Sequence, residues 1–545
     1  MHNTVFSGAI AGVDGLQVEV EIDISRGIPT FSIVGLPNAA VRESRERVTA
    51  AIKNSGWEFP LERITVNLAP ADIKKEGSAY DLAIGIGILI ASGQLSLPDG
   101  EDLVHETIFL GELALDGSLR KVPGVLPILL HARERGYRRA VVPERNFEES
   151  LIVSGLEVFG CRRLAEVAAV VAAPTGVGAD GDGNEGEEDR VCAEACLHKA
   201  SDETRSPADG GDRADETLDM ADVRGQESAK RALLVAAAGG HHVLMVGPPG
   251  AGKTMLARRF PALLPPLTDR QAMETTMIYS IVGLLDGGGL IRRSPFRSPH
   301  HSASDAGLIG GGAVPRPGEV TLAHNGILFL DELPEFQRHV LETLREPLEE
   351  RRITISRAKT AVTFPARFQL VAAMNPCPCG YLGSSEYQCR CGPLQIERYL
   401  SKISGPLLDR ISIYVGVRPV DVECLRGDAE GASSASMRAE VTRAREIQRR
   451  RLEEEASSSR VGPLAGTAWT VNAGIPEARF RVYCPMETEA EELLYAAQKR
   501  LRVSARGRSH IVRVARTIAD LEGVEVIASH HVAEAVQYRV RDVPR

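Results

Sequence analysis

One octapeptide constrains this chain more than any other feature. The apolar run His242–Val246 (HVLMV) leads directly into Gly247-Pro248-Pro249-Gly250-Ala251-Gly252-Lys253-Thr254, and a helical pattern starts at Met255 (MLARRF). A strand, a glycine-rich loop and a helix in that order make a phosphate loop at the edge of an α/β sheet. The glycines let backbone amides converge on phosphate, and the helix start adds a positive dipole. Lys253 then reaches the β- and γ-phosphates and the Thr254 hydroxyl holds Mg²⁺, so ATP with Mg²⁺ is the expected ligand.

Three later stretches extend the site. Gly326-Ile-Leu-Phe-Leu-Asp-Glu332 is an apolar strand ending in two acids, at the edge where an open α/β sheet places its ligand. Asp331 is expected in the Mg²⁺ shell, and Glu332 as the base that polarises the attacking water. Phe368–Met374 reads as a further strand, ending at Asn375, whose amide is expected to orient that water. In Gly405-Pro-Leu-Leu-Asp-Arg-Ile411, Arg410 stands either as a guanidinium offered to a neighbouring subunit's transition state or as a surface partner of Asp409.

The rest of the chain arranges itself around this block. The 545 residues suffice for three or four domains, and 43% apolar with 25% charged residues is ordinary globular composition. The longest apolar stretch, Leu82–Ala91, is half of a bilayer span, and the first fifteen residues lack the basic and apolar regions of a secretion signal. A cytoplasmic protein without membrane contact is expected. Residues 174–216 hold 13 acidic and four basic residues, which accounts for the whole net charge of −9. This segment lacks periodic apolar positions and reads as a disordered linker, since it cannot offset its ordering entropy.

Residues 1–173 before the linker form an α/β unit. Strands are expected at Gln17–Ile24, Thr30–Val34, Ile64–Leu68, Ile108–Leu115 and Arg139–Val142, with helices at Ala39–Ser55, Ala79–Ser92 and Val125–Glu134. Residues 217–425 form the nucleotide block, 426–436 a hinge, and 437–545 a helical end.

Cys377, Cys379, Cys389 and Cys391 form CxC–x9–CxC in a short loop after the Asn375 strand. Two readings stand, tetrahedral structural Zn²⁺ or reduced free thiols. For a polyanionic partner the candidates are Arg297, His300 and His301 in one insert, with Arg357 and Lys359 at the tip of a basic hairpin over 351–363. Such contacts give affinity for nucleic-acid backbone without reading its sequence. The adjacent histidines are expected to point apart. Lys499–Arg516 carries seven basic residues and no acid, as either a phosphate-facing or a solvated surface.

Phosphate loop, FLDE strand, Asn375 and the LLDR motif together look like an AAA+ ATPase. The stretch FRSPHHSASDAGLIGGG…PRPGEVTLAHNGILFLDELPEF resembles the magnesium-chelatase-like branch, and the order of motifs from about Val5 to Arg541 resembles the YifB family. That resemblance implies a hexameric ring with ATP sites between subunits, Arg410 acting in trans, and a DNA motor with helicase activity. It implies branch migration of recombination intermediates, in homologous recombination or natural transformation, with branched DNA as partner. Arg506, in Ser504–His510, matches the family's sensor-2 arginine, although His510 stands where an arginine is usual, which leaves Arg506 and Arg513 both open. Lys75–Leu82 and Gly111–Ile128 resemble the Lon-protease fold, but the nucleophile position falls on Ala79 and no lysine stands at Val125–Pro127, so an inactive module is expected. A chelatase motor subunit and a protein-remodelling chaperone are the competing functions.

Overall fold

The computed structural model describes residues 2–71, 75, 77–97, 104–172, 218–285, 287–312, 315–356, 361–383, 387–419, 431–458 and 470–539. The acidic segment 174–216 lies outside the described residues. The chain divides into two compact units, Met1–Gly210 with Ala272–Ile291, and Gly211–Gln271 with Arg292–Arg545.

The first unit is a seven-stranded mixed sheet. Its strands are β1 (His2–Ala11), β2 (Asp14–Ser25), β3 (Thr30–Val34), β4 (Arg63–Ala69), β5 (Thr107–Phe109), β6 (Arg139–Pro143) and β7 (Glu157–Cys161), in the order β3-β4-β2-β1-β5-β6-β7. Strict alternation in β2 and β4 sends Val18, Val20, Ile22, Ile64, Val66 and Leu68 to one buried face. Helix α1 (Ala39–Asn54) starts at an Asn38 cap, whose side chain accepts from the Val41 N–H at 2.9 Å. Helix α2 (Asp81–Ala91) is apolar all round and buried throughout except at Ile90. It lies so close to the sheet that a Cβ on Gly87 would stand 2.3 Å from Ile22 Cδ1. Asp81, fully buried at the start of α2, accepts two hydrogen bonds from Arg47 of α1, at 2.7 and 3.1 Å.

Helices α3 (Val125–Glu134), α4 (Glu144–Ser150) and α5 (Leu164–Ala172) complete this unit, together with a segment from far along the chain. Residues 272–291 include most of helix α8 (Asp269–Ile281), and Met273 and Met277 pack into the core beside Ile128 and Leu129. The Glu149 carboxylate, 5% exposed, fastens this segment. It accepts from Asn146 Nδ2 at 3.1 Å, from the Leu126 N–H at 3.2 Å, and from the Ser280 hydroxyl.

The second unit is a five-stranded, wholly parallel sheet. Strands β8 (Val243–Val246), β9 (Phe296–Arg297), β10 (Ile327–Leu330), β11 (Gln369–Met374) and β12 (Ile413–Gly416) run in the order β9-β10-β11-β8-β12. β8, β10 and β11 are buried at every position, as a sheet covered on both faces requires. Helices α6 (Glu227–Gly239), α7 (Lys253–Arg259), α9 (Arg345–Glu350), α10 (Ser434–Ser458), α11 (Thr488–Leu501), α12 (Ala505–Glu522) and α13 (Ser529–Gln537) follow. One hydrophobic core joins the sheet to α6, α10 and α12, so the helical end is packed onto the nucleotide block. Of the expected hinge, 426–430 lies outside the described residues, while Ser434 already begins α10 and is tied to Asp219 and Met220. A two-stranded hairpin pairs Arg352–Ser356 with Ala361–Pro365; its expected basic tip, with Arg357 and Lys359, lies outside the described residues.

Under the helical end, Asp520 is 1% exposed and accepts from Arg516 Nε at 3.1 Å, Asn472 Nδ2 at 2.7 Å, and Arg451. Arg516 is wholly buried, so this end of the basic stretch Lys499–Arg516, unlike Arg508 and Arg513, is neither solvated nor phosphate-facing. Among the described residues no helix is long and apolar enough to cross a membrane.

Candidate nucleotide site

β8 delivers the chain to Gly247, where a Cβ would stand 2.1 Å from the Val417 carbonyl oxygen. Only glycine passes there. Gly250 and Gly252 hold φ of 76° and 93°, and no atom stands within 4 Å of where their side chains would begin. That leaves the backbone of the loop open, as a phosphate cradle requires. Lys253, first residue of α7, donates to the carbonyls of Gly247 (2.7 Å) and Pro248 (2.9 Å) and to Asn375 Oδ1 (3.0 Å). Burial holds its pKa below the ordinary lysine value, with Asp331 and Glu332 opposing.

Because β11 lies between β10 and β8, Asp331 and Asn375 emerge beside the loop at one edge of the sheet. The Thr254 hydroxyl donates to Asp331 Oδ2 at 2.7 Å. A hydroxyl and a carboxylate meeting at one point are the hard oxygen donors Mg²⁺ takes. Glu332 donates its backbone N–H to Asp331 Oδ1 at 2.9 Å and lies in the left-handed region at φ 51°, a costly conformation for a non-glycine residue. Its side chain is 57% exposed and its Oε2 lies 3.6 Å from His301 Nδ1.

The four-cysteine loop abuts this cradle, for a Cβ on Gly380 would stand 2.4 Å from Pro249 Cδ. Sulfur–sulfur distances are 3.3 Å for Cys377–Cys379, 3.7 Å for Cys377–Cys389 and 3.5 Å for Cys379–Cys389, and Cys391 joins the same cluster. Tetrahedral Zn²⁺ with bonds of about 2.3 Å sets its sulfurs about 3.8 Å apart, so the donor set fits. Backbone N–H groups of Tyr381 and Arg390 at Cys379 hold its thiol down at about 6. A second cluster escaped the sequence reading. His530 and His531 both place Nε2 on Glu522 Oε2, at 3.1 and 3.0 Å. His531 Nδ1 accepts the Ala528 N–H at 2.8 Å, so its proton sits on Nε2 and is spent on Glu522. That is a hydrogen-bonded clasp, not a metal site.

Other expected residues fall elsewhere. Arg297 is engaged by Glu319 at 2.6 and 2.8 Å instead of being free for phosphate. The rings of His300 and His301 lie together, centroids 4.0 Å apart, and do not diverge, because His301 turns toward Glu332 and Phe336. Arg410 is 8% exposed and pairs with Glu349, at 2.7 Å, as does Arg506; the surface pairing of Arg410 with Asp409 is not what the fold builds. Arg410, Arg506, Arg513 and His510 line a cavity with His242, Gly326, Gln369 and Ser412, which flank the amino ends of β8, β10, β11 and β12. They therefore stand at the opposite edge of the sheet from the chain's own phosphate loop. Glu349, which joins two of them, carried no sequence signal.

The profile for magnesium chelatase, subunit ChlI, matches residues 219–425, that for subunit ChlI of Mg-chelatase matches 20–146, and that for its C-terminal part matches 431–539. YifB of Escherichia coli K12 is 41% identical over 99% of this chain and 97% of its own length. The competence protein ComM of Haemophilus influenzae is 41% identical over 98% of the chain and 97% of its length. The chain belongs to the YifB family of magnesium-chelatase-like AAA+ ATPases. Membership of the YifB family implies ATP and Mg²⁺ as ligands. The chain is also similar to Lon protease 2 of Bacillus subtilis, 30% identical over 25% of this chain and 26% of that protein. In this YifB-family member Ser78, the residue before the nucleophile position, is hydrogen-bonded to Glu112.

Proposed function

We propose that the chain is an ATP-driven hexameric DNA motor of the cytoplasm, a helicase promoting branch migration. The observation that carries the ring is the opposition of two half-sites within one unit: the phosphate loop, Asp331, Glu332 and Asn375 at the carboxyl edge of the sheet, Arg410 and Arg506 at the amino edge. One chain cannot bring its two edges together across a rigid sheet. Two chains joined head to tail can, and head-to-tail contacts that close make rings. In this reading Lys253 neutralises the β- and γ-phosphates, Thr254 and Asp331 hold Mg²⁺, which lowers the barrier by neutralising developing charge, and Asn375 orients water for Glu332. Arg410 and Arg506 of the adjoining subunit stabilise the transition state in trans.

DNA as the polymer rests on the similarity to the competence protein ComM over nearly the whole chain, and on the basic hairpin with Arg352 exposed at its base. The deciding experiment is ATP turnover and branch migration on a synthetic four-way junction. Stimulation is expected that falls steeply with salt, as counterion release requires. Turnover raised by an unfolded protein and untouched by any DNA would select the chaperone reading instead.

For the cysteine loop we propose structural zinc that braces the phosphate loop through Gly380 and Pro249. Elemental analysis should find about one zinc per chain, and Cys389→Ser should release it and weaken ATP binding. Metal-free protein with full ATP affinity would leave only clustered thiols.

A further inference from the structure

The cavity at the amino edge of the second unit's sheet measures about 550 Å³, and six arginines line it, Arg351, Arg367, Arg410, Arg445, Arg506 and Arg513. Burial pushes Arg351 down to about 10 and Arg513 below its ordinary value, with Glu477 opposing the shift of Arg513. Three acids share the lining. Glu350 turns to Arg352 at 3.6 Å, and Glu477 is engaged by Ser509. Glu349, on the last turn of α9, stands between Arg410 and Arg506. Its Oε1 accepts from Arg410 Nη2 at 2.7 Å and from Arg506 Nη2 as well.

Arg410 follows a short helical turn just before β12 and Arg506 begins α12, so one carboxylate oxygen joins two elements remote in sequence. Two guanidiniums this close repel unless an anion lies between them. Arg410 is otherwise sparsely satisfied: Nη1 donates to the Pro406 carbonyl at 2.6 Å, and the buried Nε has no partner. Glu349 itself is 40% exposed, so it can leave the pair for water without rearranging a core. A phosphoryl oxygen offers the same charge and the same acceptor geometry as the oxygen that now holds both arginines.

We infer that Glu349 is a placeholder anion: it holds Arg410 and Arg506 together in the single chain and gives way to the γ-phosphoryl group of a nucleotide carried by a second copy. The inference rests on the reading that both arginines act in trans, and it adds a positioning residue to that reading. Glu349 sets the two cations as one clamp before assembly and makes assembly compete with an internal ion pair.

The test separates the two ideas. In Glu349→Gln the amide keeps shape without cancelling charge. The protein concentration at half-maximal ATPase activity should fall about tenfold, the size of one lost charge-assisted contact, with kcat at saturating protein held within about twofold. Glu349→Asp, which keeps the charge on a shorter arm, should shift in the same direction by less, and it serves if the Gln variant folds poorly by circular dichroism. A kcat loss of tenfold or more at unchanged assembly concentration would show that Glu349 stays in the working site, and no change in either quantity would show that it does nothing; both overturn the placeholder. Arg410→Ala and Arg506→Ala are the reference. Each should lose turnover alone, and each should regain it when mixed with Lys253→Ala chains. Full turnover in either arginine variant by itself removes the trans reading and the placeholder with it.

Discussion

Glu332→Gln should lower ATP turnover by about 10²–10⁴-fold, the usual contribution of a positioned general base, while ATP binding survives. The separation of roles in the site dictates this split. Lys253, Thr254 and Asp331 are bound to one another's surroundings by contacts of 2.7–3.0 Å that do not include the Glu332 side chain. The Glu332 side chain is outside that knot, more than half exposed beside His301, on a backbone at φ 51° whose N–H donates to Asp331 Oδ1. A Gln there keeps the turn and removes only the proton acceptor. Equilibrium binding of a fluorescent ATP analogue beside steady-state phosphate release checks both halves. Turnover near the parent rate in this variant would remove Glu332 from the chemistry and leave Asn375 or a water chain to be tried.

Asp520→Ala should cost about 3–5 kcal/mol, the usual penalty for stripping one partner from a buried ion pair. Asp520 is the only carboxylate among the described residues to which Arg516 and Arg451 are both bound, and Arg516 is wholly buried. The remaining Arg516 contacts are the carbonyls of Val524 and Glu525, which supply no charge. Replacing the carboxylate therefore strands a guanidinium inside the core that joins α12 to the sheet. At 2–4 °C per kcal/mol for a unit of this size, calorimetry of the full chain should show its transition about 10 °C lower. Because α12 carries Arg506, ATPase activity should fall at temperatures where the rest of the chain is still folded. An unchanged transition would mean the network orders the helical end without stabilising it.

These outcomes mark where sequence reading succeeds and where it stops. The phosphate loop, Asp331, Glu332 and Asn375 were legible because each belongs to a short stretch in which an apolar strand announces its own end. Strands β3 and helix α3 were placed to the residue because alternation and helical spacing run unbroken there. β1 was missed, since Ser7, Gly8, Ala9 and Ala11 blur its alternation; its ladder with β2 supplies what the side chains do not. Arg516 reads as surface because Asp520, the acid that neutralises it, lies four positions on, just beyond the basic stretch. Glu349 was invisible for a different reason. It sits in a charged helix end like many others, and its meaning arises only when Arg410 and Arg506 are folded onto it.

The return of residues 272–291 to the first unit has a practical corollary for anyone who would divide the polypeptide. The acidic tract looks like the natural place to cut, yet a piece ending there lacks Ser280 for Glu149 and the two methionines that fill its core. The complementary piece would carry those side chains bare into solvent. The first unit therefore borrows part of its interior from beyond the tract, and it is complete only when both stretches are synthesised as one polypeptide.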